Sequence, residues 1–548
     1  MTEPRSKILL TGYVSDERYL AIPDVLIEFQ GGGIEEPVVV RSTPRGEIYA
    51  PVSAGRYDVT LSKPGYGAKN VVAQVDFGSP YQFRLLTDVL LGYAWPGWVK
   101  AGGRSELRVH SPEEYQLSLW RYGVRKEFVH LIGWFDEHGP RPNVQISPDG
   151  DYTQTGIRWN HWGGETPQKA ETLHAPGRSG LYYVHAKSVS GRFTSFPWIV
   201  APAQPVHRAA VLMSTLTWNA YNNFGGRSNY INPDGLPLAP IVNGRQELRR
   251  YRDPRPFGVW VPRDNEYPPL SFDRPDPASR VPEETQAADP IHGRLACGHA
   301  PAEWRLLAWM EREGFGYDVY ADAQLHFDEV ELERYRVLII SVHPEYWTRK
   351  MYRRVKKWVQ EDGGRLMYLG GNGLNCEVEL SSDLKMRCLT HLYSRGGEMG
   401  GDIDAPDSQF ESRMHRTFES EANLLGVVCS EKGIMTGAPY RVVDASHWIF
   451  AGTELRNGDL FGLESQHERI PGGASGHETD KRSASSPAGT ALLAKGTNPD
   501  DGGSEIVYYE SGSGGEVFST GSISYVASLL VDRQISRITG NVLSRFLR

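Results

Sequence analysis

VLIISVHPEYWTRKMYRRVKKWVQEDGGRLMYLGGN, residues 337–372, decides how the larger part of this chain folds. It opens on a continuous apolar run, Val337 to Ser341, whose length suits a strand buried on both faces. Thr348 then stands where a helix N-cap belongs, and Met351, Val355, Trp358 and Val359 form one apolar stripe before Gly363-Gly364 ends the helix. RLMYLGGN, 365–372, is a second apolar strand entering a glycine turn. Strand, helix and strand in this order predict a parallel pair, with chemistry beyond the strands' C-terminal ends.

Further out, AEWRLLAWMEREG (302–314) reads as a helix from Ala302 to Glu313 closed by Gly314, and AAVLM (209–213) as another buried strand. TWNAYNNFGG, 217–226, follows that strand and reads as a glycine-bearing loop. Residues 204–548 are thus expected to form an α/β domain with a mainly parallel sheet, in the layout of glutamine-amidotransferase-like domains. Ahead of it the period changes to two. RYDVTLSKPGY sets Tyr57, Val59 and Leu61 on one face and Asp58 and Thr60 on the other, between Gly55 and Pro64-Gly65. Residues 1–86 are expected to be a small β-sandwich whose G-x-Y-x-V…K-x-G-Y pattern resembles carboxypeptidase-regulatory-like, Ig-like modules. SELRVHS, YQLSLWRYG and GLYYVHAKS predict a second β-sandwich over 87–203.

Bulk properties narrow the function. A chain of 548 residues exceeds one core, so several domains are expected. A net charge of −8 argues against a nucleic-acid-binding role. The first residues carry no signal-like apolar core, and no run reaches a membrane span, so a cytoplasmic protein is expected. Cys297, Cys376, Cys388 and Cys429 are too few and too scattered for a disulfide framework. Cys297-Gly-His299 is half of a metal motif without its second half and reads as structural.

Three segments fall at the expected strand ends: Trp218, Tyr221 and Asn222 in TWNAYN, then VHPEYW (342–347), then GGN (370–372). In extended backbone His343 and Glu345 project to the same side. Such a pair can hold a metal or move protons. Alternatively, His343 caps the helix near Thr348 and Glu345 offsets its dipole. A tyrosine converging on this pair would make a hard, oxygen-rich site. A phenol keeps its proton to about pH 10, so a strong Lewis acid such as Fe(III) is what would displace it.

TWNAYNNFGG, HPEYW, LGGN and the late G-x-E-x-D of GGASGHETD (472–480) together resemble the large (beta) subunit of the N,N-dimethylformamidases, over roughly 204–548 and with a similar second β domain. The resemblance implies a mononuclear iron held by two tyrosines and one glutamate that hydrolyses a small amide without redox chemistry. It implies Tyr221 and Glu345 as ligands, His343 as a catalytic histidine beside the metal, Glu478 as the second catalytic acid, Asn372 as an amide near the metal and Phe518, in EVFSTGS, as a pocket wall. For the second tyrosine, Tyr267 in DNEYPPLSF is the expected ligand. SFDRPD puts Asp276 where relatives often have a tyrosine, so the alternatives are that Asp276 replaces the second tyrosine or that the site is one ligand short; Tyr230 and Tyr251 rank behind Tyr267.

The expected chemistry is Lewis-acid activation of an amide or water, with Glu478 or His343 as general base, Asn372 donating to the oxyanion, and Trp218 with Phe518 as an apolar wall. A homo-oligomer is expected, with a small partner subunit as a further possibility. The alternatives are a cysteine amidase built on Cys376 in GGNGLNCEVE, and a carbohydrate- or partner-binding protein without catalysis.

Overall fold

A computed structural model of the chain describes residues 9–136, 144–159, 168–233, 235–242, 267–287, 298–389, 410–430, 432–467 and 469–548. The site is built on one nine-stranded sheet, with these elements in chain order: β1 (Ala209–Met213), α1 (Thr215–Tyr221), α2 (Ala300–Arg312), β2 (Asp318–Ala321), β3 (Val337–Val342), α3 (Arg349–Gln360), β4 (Arg365–Gly370), β5 (Tyr440–Val442), β6 (Leu460–Phe461), β7 (Ala491–Gly496), β8 (Glu505–Glu510) and β9 (Glu516–Ser519). Their order across the sheet is β2-β1-β3-β4-β9-β8-β7-β5-β6. From β2 to β9 neighbours run parallel, and from β9 to β6 they run antiparallel. The expected mainly parallel sheet is therefore half of the sheet observed. Of the antiparallel strands, β5 and β6 are short and β7 is irregular in pattern, which hid them from a reading based on long apolar runs.

The β3-α3-β4 unit follows its local signals. Every residue of β3 is buried. The Thr348 side chain accepts from the Met351 amide at 3.2 Å, and Met351, Tyr352, Val355, Trp358 and Val359 form the buried face of α3. Gly363, at φ +73°, ends the turn beyond it.

The segment after β1 departs from expectation, because TWNAY is helical and the loop begins only at Asn222. The Ser214 side chain makes no cap, so the usual local signal is missing. The cap comes instead from the Asp322 carboxylate at the end of β2, which accepts from Thr215 Oγ1 at 2.5 Å and from the Leu216 amide at 3.2 Å. Glu303 of α2 completes the anchoring by accepting from the Ser214 amide at 3.2 Å and from Trp218 Nε1 at 3.1 Å.

Upstream, two pairs of sheets each enclose one apolar core. A three-stranded and a five-stranded sheet surround Val14, Phe29, Tyr57, Val59, Leu61 and Phe83. A second such pair surrounds Leu107, Leu117, Val184 and Trp198. The strand Val144–Gln145 pairs in parallel with Gly67–Val75, so the two segments share a sheet. Among the described residues, no helix is long and apolar enough to cross a membrane.

Candidate functional site

The backbone that delivers the site residues is strained at three points. Val342, the last residue of β3, has φ +60° although it is β-branched; Asn372 has φ +52°, and His477, just before Glu478, has φ +68°. Left-handed backbone costs such residues on the order of 1–3 kcal/mol each and persists only where surrounding contacts hold it. Those contacts are present. The Glu345 amide donates to Thr217 Oγ1 of α1 at 3.1 Å, and the Asn372 amide donates to Asp480 at 2.8 Å. Asp480 also accepts from the Tyr368 hydroxyl at 2.6 Å, and that hydroxyl accepts from the Gly373 amide at 2.7 Å.

The side chains converge on Glu345, which is fully buried. Its Oε2 accepts from the Tyr221 hydroxyl at 2.9 Å and lies 3.2 Å from His343 Nε2. The Tyr230 hydroxyl sits 2.8 Å from that of Tyr221 and 3.1 Å from each Glu345 oxygen. The two phenol rings stack with centroids 4.5 Å apart. Arg413 and the Cys376 thiol lie behind Oε1, at 3.4 and 3.7 Å. On the other side, His343 Nε2 is 3.2 Å from Glu478 Oε2, and Asn372 Nδ2 donates to the same oxygen at 2.6 Å.

Burial first, then the Glu345 charge, push the Tyr221 and Tyr230 phenols well above their ordinary range, so both keep their protons when no cation faces them. For His343 burial works against protonation, but the facing Glu478 and Glu345 carboxylates outweigh it and raise the imidazole to about 10. Burial likewise opposes ionisation of Glu478, yet the His343 charge beside it prevails and holds the carboxyl at about 2. The result is a carboxylate–imidazolium–carboxylate row flanked by two phenols. Glu478 is its most accessible end, 17% exposed against 5% for His343.

His343 and Glu345 do share one side, and the helix is capped by Thr348 rather than by His343. The second phenol beside Tyr221 is that of Tyr230, which the sequence ranked behind Tyr267. Tyr267 is buried in the apolar core just ahead of the short strand Leu270–Ser271. Asp276 caps the short turn Pro277–Ser279, accepting from the Ala278 amide at 3.2 Å and Ser279 Oγ at 2.6 Å. Phe518 lies inside β9 with no exposure. Trp218 lines an apolar cleft of about 80 Å³ with Trp98, Phe196 and Phe272, and none of the Tyr221 cluster borders that cleft. Asn372 spends one amide proton on Glu478, which makes it a support of that carboxylate. Cys376 sits in the strand Cys376–Leu380, its thiol pushed well up by burial. Tyr251 and Cys297 lie outside the described residues, whereas His299 packs edge-on to Tyr221, with centroids 6.1 Å apart.

Among the described residues no group of three or more His, Cys, Asp and Glu is placed to hold a metal. A cation here would instead rest on phenol oxygens and one carboxylate. Two such hydroxyls and a carboxylate, all within 3.1 Å of one another, are the donor chemistry of a hard, highly charged ion.

Comparison with known proteins places the chain in a family. Residues 127–537 match the family described as N,N-dimethylformamidase beta subunit-like, C-terminal. The chain belongs to that family. Similar members include the N,N-dimethylformamidase beta subunits of Paracoccus aminophilus, 29% identical over 299 residues, and of an Alcaligenes species, 29% identical over 297. Each match covers 45% of this chain and 37% of the relative, so the chain spans just over a third of the length of these dimethylformamidase subunits. A solved structure of a putative carbohydrate binding protein from Bacteroides uniformis covers 34% of this chain and 94% of its own, at 15% identity and a TM-score of 0.12, too low to support an inference.

Proposed function

We propose that this chain hydrolyses the C–N bond of a small N-substituted amide to a carboxylate and an amine, using one trivalent iron held by Tyr221, Tyr230 and Glu345. The observation that carries this reading is the meeting of two phenol oxygens and a carboxylate, 2.8–3.1 Å apart, beside a His343–Glu478 pair. The names of the relatives, dimethylformamidase beta subunits, support the amide as substrate class.

Iron bound there supplies Lewis acidity toward the amide carbonyl or the attacking water. Three anionic donors temper that acidity, so the water needs a protein base. Glu478 fits this role because it is the accessible end of the row. It takes a proton from the attacking water and returns it to the departing nitrogen, since an amide nitrogen leaves poorly as an anion. His343, 3.2 Å from both Glu345 and Glu478, is placed to offset negative charge as the carbonyl carbon becomes tetrahedral. Asn372 orients Glu478 through the 2.6 Å hydrogen bond. A cytoplasmic homo-oligomer, with or without a small partner subunit, belongs to the same reading, and the relatives' description as beta subunits favours an assembly.

Metal analysis with a visible spectrum tests the proposal, wild type beside Tyr221→Phe and Tyr230→Phe. Stoichiometric iron, a phenolate-to-iron band weakened in both variants, and turnover of N-alkyl amides are expected. Protein made with ample iron that carries neither iron nor band would sink the iron site and favour a binding role.

A further inference from the structure

We propose that the N-terminal β module is a positioning device for Tyr230, clamping both ends of the loop that carries this phenol. The inference rests on the reading of Tyr230 as a ligand. The loop leaves α1 at Asn222 and runs to Ile241. At its near end the Gly225 amide donates to the Glu17 carbonyl at 2.5 Å, and Arg84 Nη2 donates back to the Gly225 carbonyl at 3.0 Å. At its far end the Tyr19 hydroxyl donates to the Pro237 carbonyl at 2.7 Å, and Gln82 Nε2 to the Leu238 carbonyl at 2.8 Å. Leu20 and Ile241 form a β-bridge, closed by Ala21 N to Ile241 O at 2.9 Å and Ile241 N to Tyr19 O at 3.1 Å.

Tyr230 lies between these two fixed ends. Around it the loop touches the sheet domain: the Asn229 amide donates to the Ala220 carbonyl at 2.8 Å, and Asn229 Nδ2 to the Tyr346 hydroxyl at 2.7 Å. The side chains reaching from the module, Tyr19, Gln82 and Arg84, all aim at backbone carbonyls. Such contacts fix where a chain runs more than they bury area. Arg84 is itself held, 1% exposed, with its guanidinium 4.3 Å from the Tyr152 ring centre. The approach is also sterically closed. A Cβ on Gly226 (φ +91°) would stand 2.3 Å from Tyr19 Cβ, and one on Gly225 (φ +101°) 2.4 Å from Thr153 Cγ2. No group of the module touches Glu345, Tyr221 or His343 directly among the hydrogen bonds described above. Its effect on the site therefore runs through the loop, and these are positioning residues.

The test uses the full chain as Gly226→Ala and the milder Tyr19→Phe, with Thr60→Ala on the module's exposed face as control. Amide hydrogen exchange in peptides spanning 225–241 is measured together with the phenolate-to-iron band and kcat. Exchange there is expected to rise about tenfold in Gly226→Ala and about fivefold in Tyr19→Phe, with β3 and β4 unchanged, and with band and kcat falling in step. Unchanged exchange in Tyr19→Phe would overturn the clamp, whether or not Gly226→Ala folds. Faster exchange with an unaltered band would overturn its link to Tyr230. If wild type binds no iron, the function proposed above fails, while the exchange measurement still decides whether the clamp exists.

Discussion

Tyr221 and Tyr230 meet over one carboxylate but are held by different parts of the molecule. Tyr221 ends a short helix anchored from beneath by Asp322 and Glu303, both buried in the sheet domain. Tyr230 rides a loop whose ends are fixed by a β module 141 to 218 residues earlier in the chain. The difference teaches that like groups meeting at one carboxylate need not have like supports, and that each support can fail alone.

The comparison breaks most completely at Glu345, where both phenols converge. Glu345→Ala is expected to abolish metal binding and reduce turnover to background, a loss on the order of 10³-fold or more. Iron content and kcat measured side by side check it, and a loaded, active variant would refute the assignment. Glu478→Gln touches neither tyrosine. It is expected to lower kcat by roughly 10²–10⁴-fold while iron and the visible band stay near wild type. A lost band would mean that base and metal site cannot be separated.

Asp322 supports the Tyr221 side alone. Burial raises its carboxyl to about 7 against the lowering by its Thr215, Leu216 and Ala323 donors. An unfolded aspartate titrates near 4, so the fold holds a proton that the unfolded chain releases. That contribution is full below about pH 4 and is lost as pH rises through about 7. Wild type is therefore expected to lose on the order of 3 kcal/mol relative to Asp322→Asn between those limits. Denaturant melts of both proteins across the range measure it, and parallel pH profiles would contradict it. Cys376 lies under Glu345 and supports neither tyrosine. Cys376→Ala is expected to keep kcat within about threefold, whereas a loss comparable to that of Glu478→Gln would revive a cysteine nucleophile.

What could be read from the sequence follows the same division. β3, α3, β4, the Thr348 cap and the shared side of His343 and Glu345 rest on spacings of a few residues, and the structure bears them out. Helix α1 was illegible because its cap, Asp322, lies 107 residues downstream of Thr215, just past the end of β2. Tyr230 was illegible for a stronger reason: nothing in SNYIN distinguishes it, and its loop is brought back over Glu345 by contacts distant in sequence, with Glu17, Tyr19 and Arg84 on one side and Tyr346 and Arg274 on the other. The left-handed turn at Val342 carries no sequence signal, because a β-branched residue is one that such a turn would not ordinarily recruit.

The two glycines at 225 and 226 link the histories of regions that look independent. Each has a neighbour from another segment where its side chain would grow, Thr153 for one and Tyr19 for the other. A front module exchanged by recombination would therefore have to arrive with a matching 225–241 loop, and a loop that drifted would strand its module. Module and loop can diversify only as a pair, and a graft of the sheet domain onto another carrier would need the module's Glu17, Tyr19, Gln82 and Arg84 carried with it.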